Sequence, residues 1–228
     1  MAEALQCPRC GSRKSWRLRD GRRRCASCRY DWKPGRLPLR LSPAQWRAVL
    51  RWFVRGASSA EIARETRLER KRVLRALLIV RRALLRASAQ QTRRPIVLSR
   101  TTRAATIGLR PIDGGVSAEL VSEAESEQFG KWLRRQKGRQ PAAVPRLQRF
   151  TAIVYRGRFY RVGHAAARPT VGRIEAFWAY LQRQLRATGG IRRERLALYL
   201  AAYAWRYNRR KVPFNEQVRE LLSLIRLT

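Results

Sequence analysis

Apolar residues recur at helical spacing most clearly between Gly172 and Lys211. Ile174, Phe177, Trp178, Leu181 and Leu185 fall at i, i+3, i+4, i+7 and i+11, one stripe along a helix. Gly189 and Gly190 interrupt it. Leu196, Leu200, Tyr203 and Tyr207 resume the pattern, with Trp205 close to the same face. Two helices are expected here, with Glu175 in the first turn of the first. The aromatics Trp178, Tyr180, Trp205 and Tyr207 read as core.

Further upstream the same period returns. Ser42–Pro43 opens a helix, Ser as N-cap and Pro at the first position, with Trp46, Val49, Leu50 and Phe53 inward and Gly56 at its end. Ser58 or Ser59 caps a short helix over 60–65, with Ile62 and Ala63 inward. Thr66–Leu68 is a turn. A longer helix over 69–86 carries Val73, Leu77, Val80 and Leu84 at helical spacing. Residues 87–94 read as a polar linker and the best domain boundary. Beyond it, alternation of period two predicts strands. Pro95–Leu98 is one, 104–110 and 116–121 flank the turn Asp113–Gly114–Gly115, a brief strand is expected in 141–145, and 151–155 and 158–162 flank Arg156–Gly157. Between them Ser122 caps a helix reaching about Gln136, with Glu125 at the capping-box position.

Composition changes the picture in two ways. The formal net charge is +37 over 228 residues. Residues 1–94 hold 26 basic and 6 acidic residues, and residues 95–228 hold 26 and 9. The excess therefore runs through the chain and is not a basic tail. Such a surface calls for a polyanion, and nucleic acid is the first candidate, through release of condensed counterions. No apolar run reaches membrane-spanning length, since Ala76–Val80 stops at Arg81–Arg82. A soluble cytoplasmic protein is expected, nucleoid-associated if prokaryotic, with double-stranded DNA as partner, no membrane, and a homodimer possible.

The second change is in the cysteines. All 4 lie in the first 28 residues, as Cys7-Pro-Arg-Cys10 and Cys25-Ala-Ser-Cys28, with 14 residues between the pairs. Two such knuckles offer four thiolates to a tetrahedral Zn²⁺, and the insert must form a hairpin that returns the second pair. Ser15–Arg19 and Arg22–Arg24 would be its arms and Asp20–Gly21 a type I′ turn. A zinc ribbon is expected over residues 1–38, with structural Zn²⁺ on Cys7, Cys10, Cys25 and Cys28. Arg22, Arg23 and Arg24 crowd the hairpin and are candidates for DNA contact. The three helices over 39–90 resemble a helix-turn-helix, which would place Arg67, Arg70, Lys71, Arg72 and Arg75 at the start of a recognition helix.

The residues Ile174–Glu175, Phe177–Trp178, Leu181, Arg183, Leu185–Arg186, Thr188, Tyr199–Leu200 and Trp205–Arg210 resemble the end of a DDE transposase domain. The likeness is to insertion-sequence transposases that begin with a zinc ribbon, the ISXO-like group. It is strongest over 171–211, good over 5–33 and weak over 95–165. It implies an RNase H-like domain over 91–228, hence an α+β multidomain chain of ribbon, helix-turn-helix and RNase H-like α/β fold. It also implies DNA strand transfer in transposition and DNA recombination, on two Mg²⁺ ions held by two aspartates and a glutamate. The glutamate maps onto Glu175. The aspartates have no counterpart: the chain holds only Asp20, Asp31 and Asp113, the first-strand position falls near Ser99, and 141–147 holds no acid. The family lysine falls at Gln182, its His-Thr-Asn near Thr170–Gly172, and the segment from Pro95 to Glu175 is short for the family. A degenerate, catalytically inactive DNA-binding copy is therefore expected, with Glu175 vestigial and Mg²⁺ relevant only to an active enzyme. The alternatives are an active transposase that uses Glu119 or Asp113 with Glu175, and a zinc-ribbon RNA-binding protein. His164, the only histidine, reads as structural.

Overall fold

The computed structural model describes Cys7, Cys10 and residues 12–33, 37–92, 105–135, 147–162 and 168–226, the side chains of 168–171 excepted. The strands expected at 95–98 and 141–145, Ser99 and His164 lie outside them. Two compact units emerge: Met1–Ala83 together with Val212–Thr228, and Leu84–Lys211.

The first unit begins with three short antiparallel strands, β1 (Ser15–Arg17), β2 (Arg23–Cys25) and β3 (Asp31–Trp32), β2 in the middle. The hairpin turn differs from the type I′ form expected. That form needs positive φ at both central residues. Gly21 has φ +77° while Asp20 stays negative. Leu18 N–H reaches Arg22 O at 2.7 Å and Gly21 N–H reaches Leu18 O at 3.0 Å, a three-residue loop whose last member is a left-handed glycine.

Three helices follow: α1 (Pro43–Arg55), α2 (Ser59–Thr66) and α3 (Arg70–Thr92). Ser42 caps α1 in a full capping box with Gln45, and Gly56 ends it at φ 85°. Ser58, not Ser59, caps α2. α3 continues through 87–92, where a linker was expected. That stretch lacks Pro and Gly, so nothing local stops the helix. Trp46, Val49, Leu50, Phe53, Ile62 and Val73 are buried. A further helix, α7 (Phe214–Arg226), belongs to this unit and packs on α1. Its buried Val218, Leu221, Leu222 and Ile225 stand at i, i+3, i+4 and i+7, a signal available in the sequence but lying beyond the segments read from it.

The second unit is built on a four-stranded sheet ordered β5-β4-β6-β7, antiparallel throughout among the described residues. The strands are β4 (Ile107–Ile112), β5 (Gly115–Leu120), β6 (Ala152–Tyr155) and β7 (Arg158–Arg161). Arg156 and Gly157, both at positive φ, make the tight turn between β6 and β7. Side chains alternate between the two faces. Ile107, Leu109, Val116 and Val154 pack with Ile174, Phe177 and Leu181 of α5 (Arg168–Ala187) and Leu200 and Tyr203 of α6 (Arg193–Arg209). Ile153, on the other face, packs with Phe150, Leu147 and Phe129 of α4 (Glu123–Arg135). The layers are tight: a Cβ at Gly108 would lie 2.4 Å from the Phe150 ring.

Within the Trp205–Arg210 run, Asn208 has a structural role. Asn208 Oδ1 accepts from Val116 N–H, and its Nδ2 donates to Val116 O, both at 2.9 Å. The side-chain amide thereby pairs with the backbone of edge strand β5 as a neighbouring strand would. A Cβ at Gly115 would sit 2.4 Å from Asn208, so glycine stands there.

Candidate metal centre and nucleic-acid interface

The knuckles bring all four cysteines together, Sγ of Cys7 and Cys28 at 3.6 Å and of Cys10 and Cys25 at 3.5 Å. All four sulfurs lie within 4.8 Å of one another. A tetrahedron of thiolates about 2.3 Å from a central Zn²⁺ has edges of roughly 3.8 Å, so spacing and donor chemistry fit a structural zinc ion. The crowded thiols shift in opposite directions. Burial opposes ionisation of Cys25, but the N–H groups of Cys28 and Ser27 and the neighbouring thiols outweigh it and bring the thiol down to about 6. At Cys10 the Ser12 N–H favours the thiolate, but burial and the neighbouring thiols outweigh it and push the thiol up to about 12. A thiolate is the form that binds metal.

The hairpin arginines are committed within the ribbon. Arg24 forms a two-pronged pair with Asp31 at 2.7 and 2.8 Å. Arg22 pairs with Asp20 at 2.5 Å and reaches Asp31 at 3.6 Å. Arg23 donates to Ser15 Oγ at 3.0 Å and Ser15 O at 3.1 Å. Arg24 lowers the Asp31 pKa through its hydrogen bonds. These side chains brace the sheet, while Arg17 and Arg19 are exposed.

On the helices the cationic set divides. Arg72 turns inward and donates to Leu39 O at 3.0 Å, where Leu39 holds a positive φ of 59°. Trp46 Nε1 donates to the adjacent Pro38 O at 3.1 Å, so two side chains strap the junction between ribbon and helices. Arg67, Arg70, Lys71 and Arg75 are exposed, and Arg67 closes α2 in a left-handed conformation. The first turn of α3 contains no acid, but the exposed Glu69 stands immediately before it, its C=O accepting from Arg72 N–H at 2.9 Å and Val73 N–H at 3.0 Å. Cations at that end oppose the helix dipole, at a cost of about 0.3–1 kcal/mol each at low salt. An anion bound there would offset the cost.

Glu175 stands apart from any such cluster. α5 begins at Arg168, so Glu175 lies in its interior and not in its first turn as expected, and the helix dipole does not account for it. Its Oε1 accepts from Arg161 Nε at 3.0 Å and from a terminal nitrogen of the same guanidinium. The pair is well exposed, Arg161 at 60% and Glu175 at 42%. Glu119 pairs with Arg110 at 2.9 Å, and Asp113 sits in the β4–β5 turn. Glu125, beyond its capping role, is gripped by Arg149 at 2.6 and 2.8 Å. Arg149 chiefly, with Ser122, holds its carboxyl down at about 2 against burial. Among the described residues, the cysteines form the one group of three or more ligating side chains close enough to share an ion. The arginine partners were not foreseen; strand alternation fixes only their face, and which helix crosses that face is a tertiary outcome.

Residues 2–31 match the family model described as the Transposase zinc-ribbon domain. The N-terminal segment is thus a transposase-type zinc ribbon by both its sequence and its cysteine geometry, which supports a transposase. No curated protein and no solved structure matches the chain. No helix among the described residues is long and apolar enough to cross a membrane.

Proposed function

We propose that the chain is a transposase-family protein that binds double-stranded DNA and has lost strand-transfer chemistry. The observation that carries the binding half is the exposed group Arg67, Arg70, Lys71 and Arg75 around the start of α3, beside the single adjoining acid Glu69, in the same compact unit as the zinc ribbon. In this reading α2 and α3 act as a helix-turn-helix, and α3 presents those side chains to phosphates and base edges. Leu84–Lys211 is then a degenerate RNase H-like domain.

Loss of chemistry is supported by an accounting of acids. Of the 15 Asp and Glu residues, only Glu3 falls outside the described residues. The other 14 include no group of three that could share ions. A carboxylate already engaged by Arg161 cannot by itself hold two Mg²⁺ ions.

Binding to a labelled duplex, followed by anisotropy across a salt series, tests the reading. We expect a steep fall in affinity with salt, reflecting several displaced counterions. An Arg70→Glu/Lys71→Glu variant is expected to lose at least tenfold in affinity while keeping its zinc and its circular dichroism. Unchanged affinity in that variant would remove α3 as the DNA-reading element.

A further inference from the structure

Among the described residues the large apolar side chains left exposed are Trp16, Tyr30 and Leu74, at 41%, 42% and 46%. An exposed leucine is commonplace. Two exposed aromatic rings in one small ribbon, Trp16 on β1 and Tyr30 just before β3, are not, because aromatic rings are the largest single contributors to burial.

The strands place Trp16. Trp16 is the central residue of β1 and lies opposite Arg24, which in turn lies opposite Asp31. Residues opposite one another share a face, so Trp16 stands beside the Arg24–Asp31 pair. One side of the indole carries the Arg29 guanidinium, 5.4 Å from the ring centre. Arg29 holds a positive φ of 57°, and Tyr30 follows it directly. The surroundings are cationic: residues 12–33 contain nine basic and two acidic residues. Both acids, Asp20 and Asp31, are already paired within the ribbon.

We propose that the ribbon binds unpaired nucleotides, with a base stacking on the open side of Trp16, Tyr30 offering a second exposed ring, and the flanking arginines following the phosphates. The inference rests on the nucleic-acid-binding reading above but not on the helices. In an intact duplex each base is stacked on its neighbours and offers no free face. A solvent-facing ring finds its partner in a single strand, a frayed end or an extruded base. Stacking of this kind is worth about 1–3 kcal/mol per base, a factor of about 5 to 150 in affinity.

The test uses the full zinc-loaded chain and three labelled probes of equal length: a single strand with bases, an abasic single strand, and a duplex. The wild type is expected to bind the base-bearing strand at least fivefold tighter than the abasic one, which has the same phosphates. Trp16→Ala should remove most of that preference, Tyr30→Ala less, and Trp16→Phe little, each at full zinc content. Equal affinity of the wild type for the two single strands would overturn the proposal. So would an unchanged preference in the Trp16→Ala/Tyr30→Ala variant, or rings that govern binding of an acidic polypeptide instead. Duplex binding that survives those results leaves the proposed function standing. Loss of all nucleic-acid binding by the wild type removes both.

Discussion

Four sulfurs converge at the head of the ribbon, while on α5 one carboxylate faces one guanidinium. The two places differ in how their donors are supplied. The sulfurs come from two tight knuckles and one hairpin, so a short stretch of chain completes the set. The carboxylates of a two-metal site would have to come from strands and a helix far apart in sequence, and losing any one of them breaks it. A metal site is easiest to assemble where its whole donor set is local, as it is for the four cysteines. Glu175 has no such neighbours among the described residues and pairs with Arg161 instead.

The contrast can be sharpened by removing what holds each region, beginning with the largest effect. Zinc in small metal-held modules is worth about 10–16 kcal/mol near neutral pH. Chelation, or Cys25→Ser, is therefore expected to unfold the ribbon. Limited proteolysis with metal analysis checks it, and an unaltered cleavage pattern after complete metal removal would break the comparison. The helices rest on burial instead. Leu221→Ala on α7, facing the same unit's core, should cost about 2–5 kcal/mol. The exposed Leu74→Ala should cost under about 0.5 kcal/mol, both read from thermal melts.

In the second unit the Glu125–Arg149 pair sets a pH dependence. With the folded carboxyl at about 2 and the ordinary value at 4.5, the pair contributes at neutral pH and its contribution fades as pH falls from about 4.5 towards 2. Up to about 3 kcal/mol is at stake. Glu125→Gln should flatten acid denaturation over that window, and an unchanged acid profile would show the pair idle. Smallest of all is the exposed Arg161–Glu175 pair: Glu175→Gln should change stability by at most about 1 kcal/mol, as chemical denaturation would reveal.

How much the sequence disclosed follows the same local–dispersed divide. Ser42–Pro43 and Gly56 delimit α1 because caps act through nearest neighbours. The cysteine spacing disclosed the metal site for the same reason. The Asp20–Gly21 turn form was misjudged because its type depends on whether Asp20 enters positive φ, which the pairing of strands decides. Glu175 looked like a helix-start acid, yet α5 begins a turn and more earlier. The attachment of α7 to α1 was out of reach: its periodicity announces an amphipathic helix, not the surface it covers. Asn208 carries no sign in its identity that it would pair with Val116, 92 positions earlier.

In the proposed reading the chain grips DNA without breaking it. The most direct measurement incubates supercoiled plasmid with saturating zinc-loaded protein and Mg²⁺ or Mn²⁺, and follows nicked and linear products beside a binding readout. A fully shifted plasmid with no metal-dependent product is expected, the same for wild type and Glu175→Gln. Nicking that requires the divalent ion and vanishes in Glu175→Gln would contradict it.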